Sequence, residues 1–566
     1  MGVGPTIRSL RKRLRLTIAV AASFALAAAV AIGATAASAS STPKFAGYHT
    51  PALVSASYYR DTNKTATPIK HLVVIFDENV SFDHYFGTYP YAANTDGTKF
   101  VAKPGTPKVN GLYNKITKNG PAGPLLASNP NEYNPQRLTH AQALTCDQNH
   151  DYLPEQQAEN GGKMNEFVQF TEQDDCSTTG EYYGPPGIVM DYYDGNTVTG
   201  LWNYAQNYAM SDNNWDTTFG PSTEGAIDVS SGLSSDSYAV TPAGTKTTDA
   251  GAITSDGTTY GDIDPYYDEC SDSNHTSSNP EGVMTGENIG DLLNTKHVTW
   301  GWFQGGFAPT SSNSGGAVCG AQSDNIDGSA LNEYTPHWNP FQFNATTANP
   351  AHLAPSSESA IGRTDQANHQ YDLSDFSETL KDGNLPSVSY LKGTTEESGH
   401  PGESGPLDEQ TFIVNTVNQI EQSKYWSSTA IVITYDDSDG WYDHQAPKLL
   451  NGSDNSAIDT AMCEATPVRV GSGSGRCGYS QRLPMLVISP YTRDNYVSNN
   501  LTNTTSVVKF IEQNWLRGQT IPGSFDATSG SLDAPGGLLD FNTRPHFERL
   551  ILNSTTGAVV TGGGWG

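Results

Sequence analysis

The sequence predicts an α/β fold in which a mostly parallel central sheet carries helices on both faces. Two observations carry this. Short apolar runs of strand length alternate with segments of helical apolar spacing, the pattern of a sheet covered on both sides. Between them lie long stretches rich in Gly, Ser, Thr, Asn and Asp, which read as loop insertions rather than core.

In chain order, the first segment is an address label. Positions 1–15 carry Arg8, Arg11, Lys12, Arg13 and Arg15 and no acid. Positions 16–32 are almost wholly Ala, Val, Ile, Leu and Phe, and a small-residue stretch ends at Ala37-Ser38-Ala39. That order is a signal-peptide pattern, with cleavage expected after Ala39 and Sec export expected because no twin-Arg pair is present. The rival is a retained anchor, since the apolar run nears the ~18 residues of a spanning helix. No other long uncharged apolar run follows, so the mature chain is expected to be secreted, extracellular or periplasmic, without stable membrane insertion.

Strand-like runs follow at 70–76, 298–303, 387–391, 430–434 and 485–488. Between the last three, positions 409–422 place Phe412, Val414, Val417 and Ile420 at helical spacing. After the final strand, 506–515 does the same with Val507, Val508, Phe510 and Ile511. The stretches 235–285 and 305–335 are polar insertions. Without an internal repeat or a marked composition shift, 40–566 reads as a single domain, with a core at about 68–515 and an extension over 516–566.

The chain carries 31 Lys and Arg against 60 Asp and Glu, a net charge of −29. Five of the bases lie in the leader, so 26 bases face 60 acids in the mature chain and the net charge becomes −34. Such a surface disfavours nucleic acid and anionic membranes as electrostatic partners. Six cysteines without metal-type spacing suit three disulfides in an oxidising compartment, and sequence neighbours suggest 146–176, 270–319 and 463–477 among fifteen possible pairings.

Chemistry in such sheets collects at the carboxyl ends of strands. The first run leads directly into Asp77-Glu78-Asn79-Val80-Ser81-Phe82-Asp83-His84. The fourth leads into Tyr435-Asp436-Asp437-Ser438-Asp439-Gly440-Trp441-Tyr442-Asp443-His444. Carboxylates there suit a hard or borderline cation, though each cluster alone equally fits a capped turn. The second lacks the first-position acid and twelfth-position Glu of an EF-hand loop. Gly220-Pro221-Ser222, before Ala226–Val229, places a hydroxyl at a helix start, where free N–H groups favour anions; an ordinary N-cap serine fits as well. The G-x-S-x-G elbow of lipases is absent.

Taken together, a series of motifs spanning about 68–515 resembles the bacterial phosphoesterase family of phospholipases C and respiratory-burst-type acid phosphatases, with an alkaline-phosphatase-like core. In order these are Glu78–Gly87, Asp147–His150, Gly161–Met164, Ser211–Asn213 leading to Gly220–Ser222, Pro336–Phe341, Ser398–Gly402, Tyr435–Asp437 through His444, and Arg482–Pro484 through Pro490 with the 506–515 helix. The resemblance implies that Glu78, Asn79, Asp436 and Asp437 hold a divalent metal (calcium, magnesium, manganese or zinc) with the Ser222 hydroxyl as nucleophile. It also implies that His150, His337 and His400 surround the phosphate, one protonating the leaving alcohol. Asp443 and His444 read as supporting residues. The chain departs from the family pattern at Val80, where many relatives have Arg, at His337-Trp338, where two histidines are common, and at Gln445-Ala446-Pro447. These departures touch substrate preference rather than the metal ligands.

The expected function is therefore phospholipase C-type cleavage of phospholipid diesters. A broad acid phosphatase acting on monoesters is the alternative within the class. A non-catalytic secreted protein capturing cations or glycans is the alternative outside it.

Overall fold

An eight-stranded sheet organises the protein. In chain order its strands are β1 (His71–Asp77), β2 (Ala209–Ser211), β3 (Trp300–Gln304), β4 (Gln370–Asp372), β5 (Val388–Lys392), β6 (Thr429–Tyr435), β7 (Met485–Ile488) and β8 (Tyr496–Ser498). Across the sheet the order is β4-β3-β5-β1-β6-β7-β2-β8. Only β7 runs against its neighbours, β6 and β2. The computed structural model describes residues 45, 48–59, 64–172, 182–247, 251–272, 276–470 and 474–560. The expected leader and Cys176 lie outside these residues. From Phe45 onward the chain forms one compact unit, and no described helix is long and apolar enough to cross a membrane.

The strands are apolar at successive positions because both faces are covered. The principal helices are α1 (Phe82–Phe86), α2 (Tyr152–Glu159), α3 (Thr199–Ala205), α4 (Ser222–Ser230), α5 (Ile289–Lys296), α6 (Leu373–Asp382), α7 (Pro406–Gln422) and α8 (Ser506–Asn514). Val73, Ile75, Ile431 and Ile433 point to one face and pack with Trp202 of α3, Phe376 of α6, and Phe412, Val417 and Ile420 of α7. Leu72, Val74, Phe76, Ala430 and Val432 point to the other, against Val229 of α4, Leu293 of α5 and Val507, Phe510 and Ile511 of α8. Full burial of each large aliphatic or aromatic chain contributes about 1.5–3 kcal/mol, so the two layers fix the sheet between them.

The expected strands all form, with ends shifted by at most two residues and 485–488 unshifted. Three short members, β2, β4 and β8, have no counterpart among the expected runs. The polar insertions are not bare loops. The first holds a three-stranded antiparallel sheet of Ser237–Val240, Lys246–Thr247 and Glu281–Met284. The second holds two small hairpins, Ser311–Asn313 with Gly316–Val318 and Gln322–Asp324 with Ala330–Asn332. Disulfides join Cys270 to Cys319 and Cys463 to Cys477; the third expected pair involves the undescribed Cys176.

Register decides where the unusual residues emerge. β1 pairs in parallel with β6 from His71 opposite Thr429 to Asp77 opposite Tyr435. The residues that follow, Glu78-Asn79 and Asp436-Asp437, therefore leave the sheet side by side. Backbone bonds continue the pairing past the strand ends: Asp436 N–H donates to the Asp77 carbonyl at 3.2 Å and Val80 N–H to the Asp437 carbonyl at 3.0 Å. On the other side of β1, β5 is aligned with Ile75 opposite Leu391, which brings Lys392 to the same end.

Candidate active site

Ser222 begins α4, and one helical turn later Gly225 lets that helix touch the Asp436 backbone. A Cβ at position 225 would lie 2.2 Å from the Asp436 carbonyl oxygen and 2.7 Å from its Cα. No side chain fits there, so glycine sets the approach of α4 to the acid loop. The Ser222 hydroxyl donates to Glu78 Oε2 at 2.9 Å, with Asn79 Oδ1 and Asp437 Oδ2 each 3.4 Å away. All four side chains are buried.

Asp436 completes the group from behind. Its Oδ1 accepts from the backbone N–H of Asn79 at 3.0 Å and of Asp437 at 2.8 Å. Its Oδ2 is buried and accepts nothing from the protein. Asn79 holds a left-handed backbone, φ 61°, which turns the chain sharply at the strand end; short polar side chains tolerate this region best after glycine. The five residues singled out as a metal site thus converge, with oxygen donors throughout and one carboxylate oxygen unclaimed. Burial pushes the Asp437 carboxyl up and the charge of Asp436 adds to it. Burial and Asp436 also raise Glu78, while the Lys392 ammonium pulls it down. Crowded buried acids of this kind suit a hard divalent cation.

The histidines divide into two kinds. His150 and His400 stand together, ring centroids 6.0 Å apart, and with Asp147 present ligand-type atoms within 4.8 Å of one another. Each has Nδ1 on a backbone carbonyl, that of Gln148 at 2.8 Å for His150 and that of Pro401 at 2.6 Å for His400. His150 Nε2 faces Asn79 Nδ2 at 3.3 Å. Burial works against a charge on His150, but Asp437, Asp147 and Asp439 outweigh it and hold its pKa well above the usual value.

His337 reaches the site through an intermediary. Its Nε2 lies 3.9 Å from Asp262 Oδ2 and its Nδ1 3.5 Å from Asp264 Oδ1. Asp262 Oδ1 in turn accepts from the N–H and hydroxyl of Thr223, next to Ser222, at 3.0 and 2.8 Å. Burial opposes the imidazolium, but Asp262 and Asp264 raise its pKa to about 9. Trp338 lies against His400, ring centroids 6.4 Å apart and 26° from parallel.

Asp443 and His444 stand apart from the serine. Arg482 grips Asp443 with Nε and Nη2, both at 3.0 Å, and reaches Asp83 Oδ1 at 3.4 Å. Asp83 Oδ2 accepts from the His444 backbone at 2.8 Å and lies 2.5 Å from its Nδ1. This buried network ties the loop after β6 to α1 and to the entry of β7.

Three contributors, Glu155, Asp262 and Lys392, lie outside the sequence motifs, and a fourth, Asp439, lies inside the second acid cluster without having been singled out. Glu155 of α2 accepts from Gly220 N–H at 3.1 Å and from the Ser438 hydroxyl at 2.7 Å, joining the loop before Ser222 to the acid loop. Asp439 Oδ1 lies 3.3 Å from Asn79 Nδ2. Asp262 links His337 to Thr223. Lys392, fully buried, pairs with Glu78 Oε1. The available signal for Lys392 was a lysine closing a strand with no other charged residue.

Residues 69–516 match the phosphoesterase family model, and the chain belongs to the phosphoesterase family. Among curated relatives, it is similar to the non-hemolytic phospholipase C of Burkholderia pseudomallei, 34% identical over 138 residues, covering 24% of this chain and 19% of the relative. It is also similar to the non-hemolytic phospholipase C of Pseudomonas aeruginosa, 29% identical over 186 residues, with 31% and 27% covered. Phospholipase C A of Mycobacterium tuberculosis is 26% identical over 182 residues, with 32% and 34% covered. These alignments span 19–34% of the length of the relatives they match.

Proposed function

We propose that the protein is a secreted, metal-dependent phosphoester hydrolase with Ser222 as nucleophile, acting on phosphodiesters of the phosphatidylcholine type. The observation that carries this is the Ser222 hydroxyl, at a helix start, lying within 3.4 Å of side-chain oxygens of Glu78, Asn79 and Asp437. The phospholipase C relatives support the choice of substrate class, and the family supports hydrolysis. Export is supported by the leader pattern, and a single domain over 40–566 by the compact unit from Phe45 onward.

Glu78, Asn79, Asp436, Asp437 and Ser222 would hold the cation; oxygen donors of this kind suit calcium, magnesium, manganese or zinc. When bound, such a cation lowers the pKa of a coordinated hydroxyl and offsets charge on phosphoryl oxygens. The protein's own groups do the rest. Ser222 Oγ is aimed by its hydrogen bond to Glu78 Oε2, and its proton leaves toward the acid cluster as the oxygen forms a bond to phosphorus. The bond from phosphorus to the departing alcohol breaks, and His150 or His400 supplies that alcohol with a proton. Water then attacks the phosphoryl-serine and restores the hydroxyl. The free N–H groups opening α4 and the His337 imidazolium, held through Asp262, add positive potential around the non-bridging oxygens.

Ser222→Ala is expected to abolish turnover while circular dichroism and Tm stay near those of the parent; near-normal activity would sink the nucleophile assignment. Assaying phosphatidylcholine beside a chromogenic phosphate monoester tests the substrate: faster turnover of the monoester would favour a broad phosphatase. Activity on neither, with divalent cations restored, would favour a binding protein.

A further inference from the structure

Lys392 has no place in the chemistry described so far, yet it is a fully buried lysine at the carboxyl end of β5. Its ammonium pairs with Glu78 Oε1. The Phe76 ring lies 4.9 Å and the Trp338 ring 4.7 Å from Nζ, and the ammonium also acts on the buried Asp77 carboxyl. An ion pair enclosed this way forms only if the geometry is tight, because both charges have left water. The ring faces add cation–π attraction and exclude solvent from Nζ.

The two oxygens of Glu78 therefore face different ways. Oε1 is taken by Lys392, and Oε2 accepts the Ser222 hydroxyl at 2.9 Å. A free carboxylate beside a divalent ion can chelate with both oxygens; one whose second oxygen is held by an ammonium cannot. Resting on the metal-dependent reading above, we infer that Lys392 is a positioning residue that restricts Glu78 to a single oxygen at the cation and keeps that oxygen on the serine. The positive charge that secures this geometry also repels the cation, so Lys392 trades cation affinity for alignment of the nucleophile. This is the opposite of what a purely structural lysine would do, since removing such a residue loosens every function of the site together.

Manganese serves as the probe, on full-length mature protein stripped with chelator. Lys392→Met keeps most of the side-chain volume and its contacts with the two rings. It is expected to bind Mn2+ about tenfold tighter by calorimetry, because a neighbouring like charge is gone. Its bound-Mn2+ EPR spectrum is expected to change as Glu78 becomes free to chelate, and kcat at saturating Mn2+ is expected to fall by about two orders of magnitude. Lys392→Gln, which keeps an N–H donor for Oε1 without the charge, is expected to tighten Mn2+ binding but retain more of kcat and a parent-like spectrum. Equal or weaker Mn2+ binding by a folded Lys392→Met, or a parent-like spectrum with parent-like kcat, would overturn the inference. If Lys392→Met does not fold, the Lys392→Gln affinity decides alone: binding no tighter than the parent overturns it. Parent protein that binds no Mn2+ and needs no cation for turnover would sink the metal-dependent reading itself, a result distinct from either.

Discussion

At the residue scale, the site depends on side chains whose partners come from distant positions. Asn79 illustrates this: its backbone N–H meets Asp436, its amide nitrogen meets His150 and Asp439, and its amide oxygen faces Ser222. His337 provides a pH-dependent test. Its folded-state pKa is raised to about 9 from an ordinary 6.5, with burial opposing and Asp262 and Asp264 prevailing. A raised histidine contributes stability that is fully present below pH 6.5 and lost as pH climbs through 9. The stability difference between the parent and His337→Gln, measured by urea denaturation, is expected to be largest near pH 6 and to vanish above pH 9. A difference that grows with pH would contradict the assigned partners. The residues around the serine were legible in the sequence only as motifs. An acid after a strand looks the same whether it caps a turn or meets a cation; convergence with Ser222 is a property of three dimensions. Lys392, Glu155 and Asp262 were missed for the same reason, since each acts on a residue at least 39 positions away.

At the element scale, the contact between α4 and the loop after β6 is made by absent atoms. Gly225→Ala would ordinarily favour a helix by up to about 1 kcal/mol. Here the new methyl would sit 2.2 Å from the Asp436 carbonyl oxygen and 2.7 Å from its Cα, both backbone atoms. Overpacking of about 1–3 kcal/mol is expected to outweigh the helix gain. The urea midpoint should fall, and kcat should fall further because Ser222 is displaced from Glu78. A stabilised Gly225→Ala with full turnover would show that the helix can shift without consequence. The long strands were readable because burial on both faces leaves an apolar run. β2, β4 and β8 were not, because three residues are too few for a period to register, and Gln370–Asp372 is flanked by polar ends. The insertion sheets escaped notice because their hairpins, such as Gln322–Asp324, are built from polar residues.

At the scale of the whole molecule, three buried carboxylates and an orphaned Asp436 oxygen form a centre of negative potential at one end of the sheet. Folding must gather these charges, and a cation that binds only the gathered form stabilises it by mass action. At a free concentration one hundred times Kd the gain is about 2.7 kcal/mol. Thermal denaturation with and without chelator is expected to show a lower Tm in chelator, and the difference should shrink in Asp436→Asn. An unchanged Tm in both would argue against a cation at this site.

The parallel pairing of β1 with β6 brings together residues 357 positions apart, Asn79 and Asp436. Such a closure pays a large loop entropy before any contact rewards it, which makes the step slow and places it late in folding. If these residues hold a cation as proposed, the two halves of the donor set meet late, and the cation has nothing complete to grasp until the sheet has zipped. Divalent ions should then slow unfolding while leaving the refolding rate unchanged. Stopped-flow refolding from urea, with and without Mn2+, measures this directly; acceleration by the ion would mean that the strand ends find each other first.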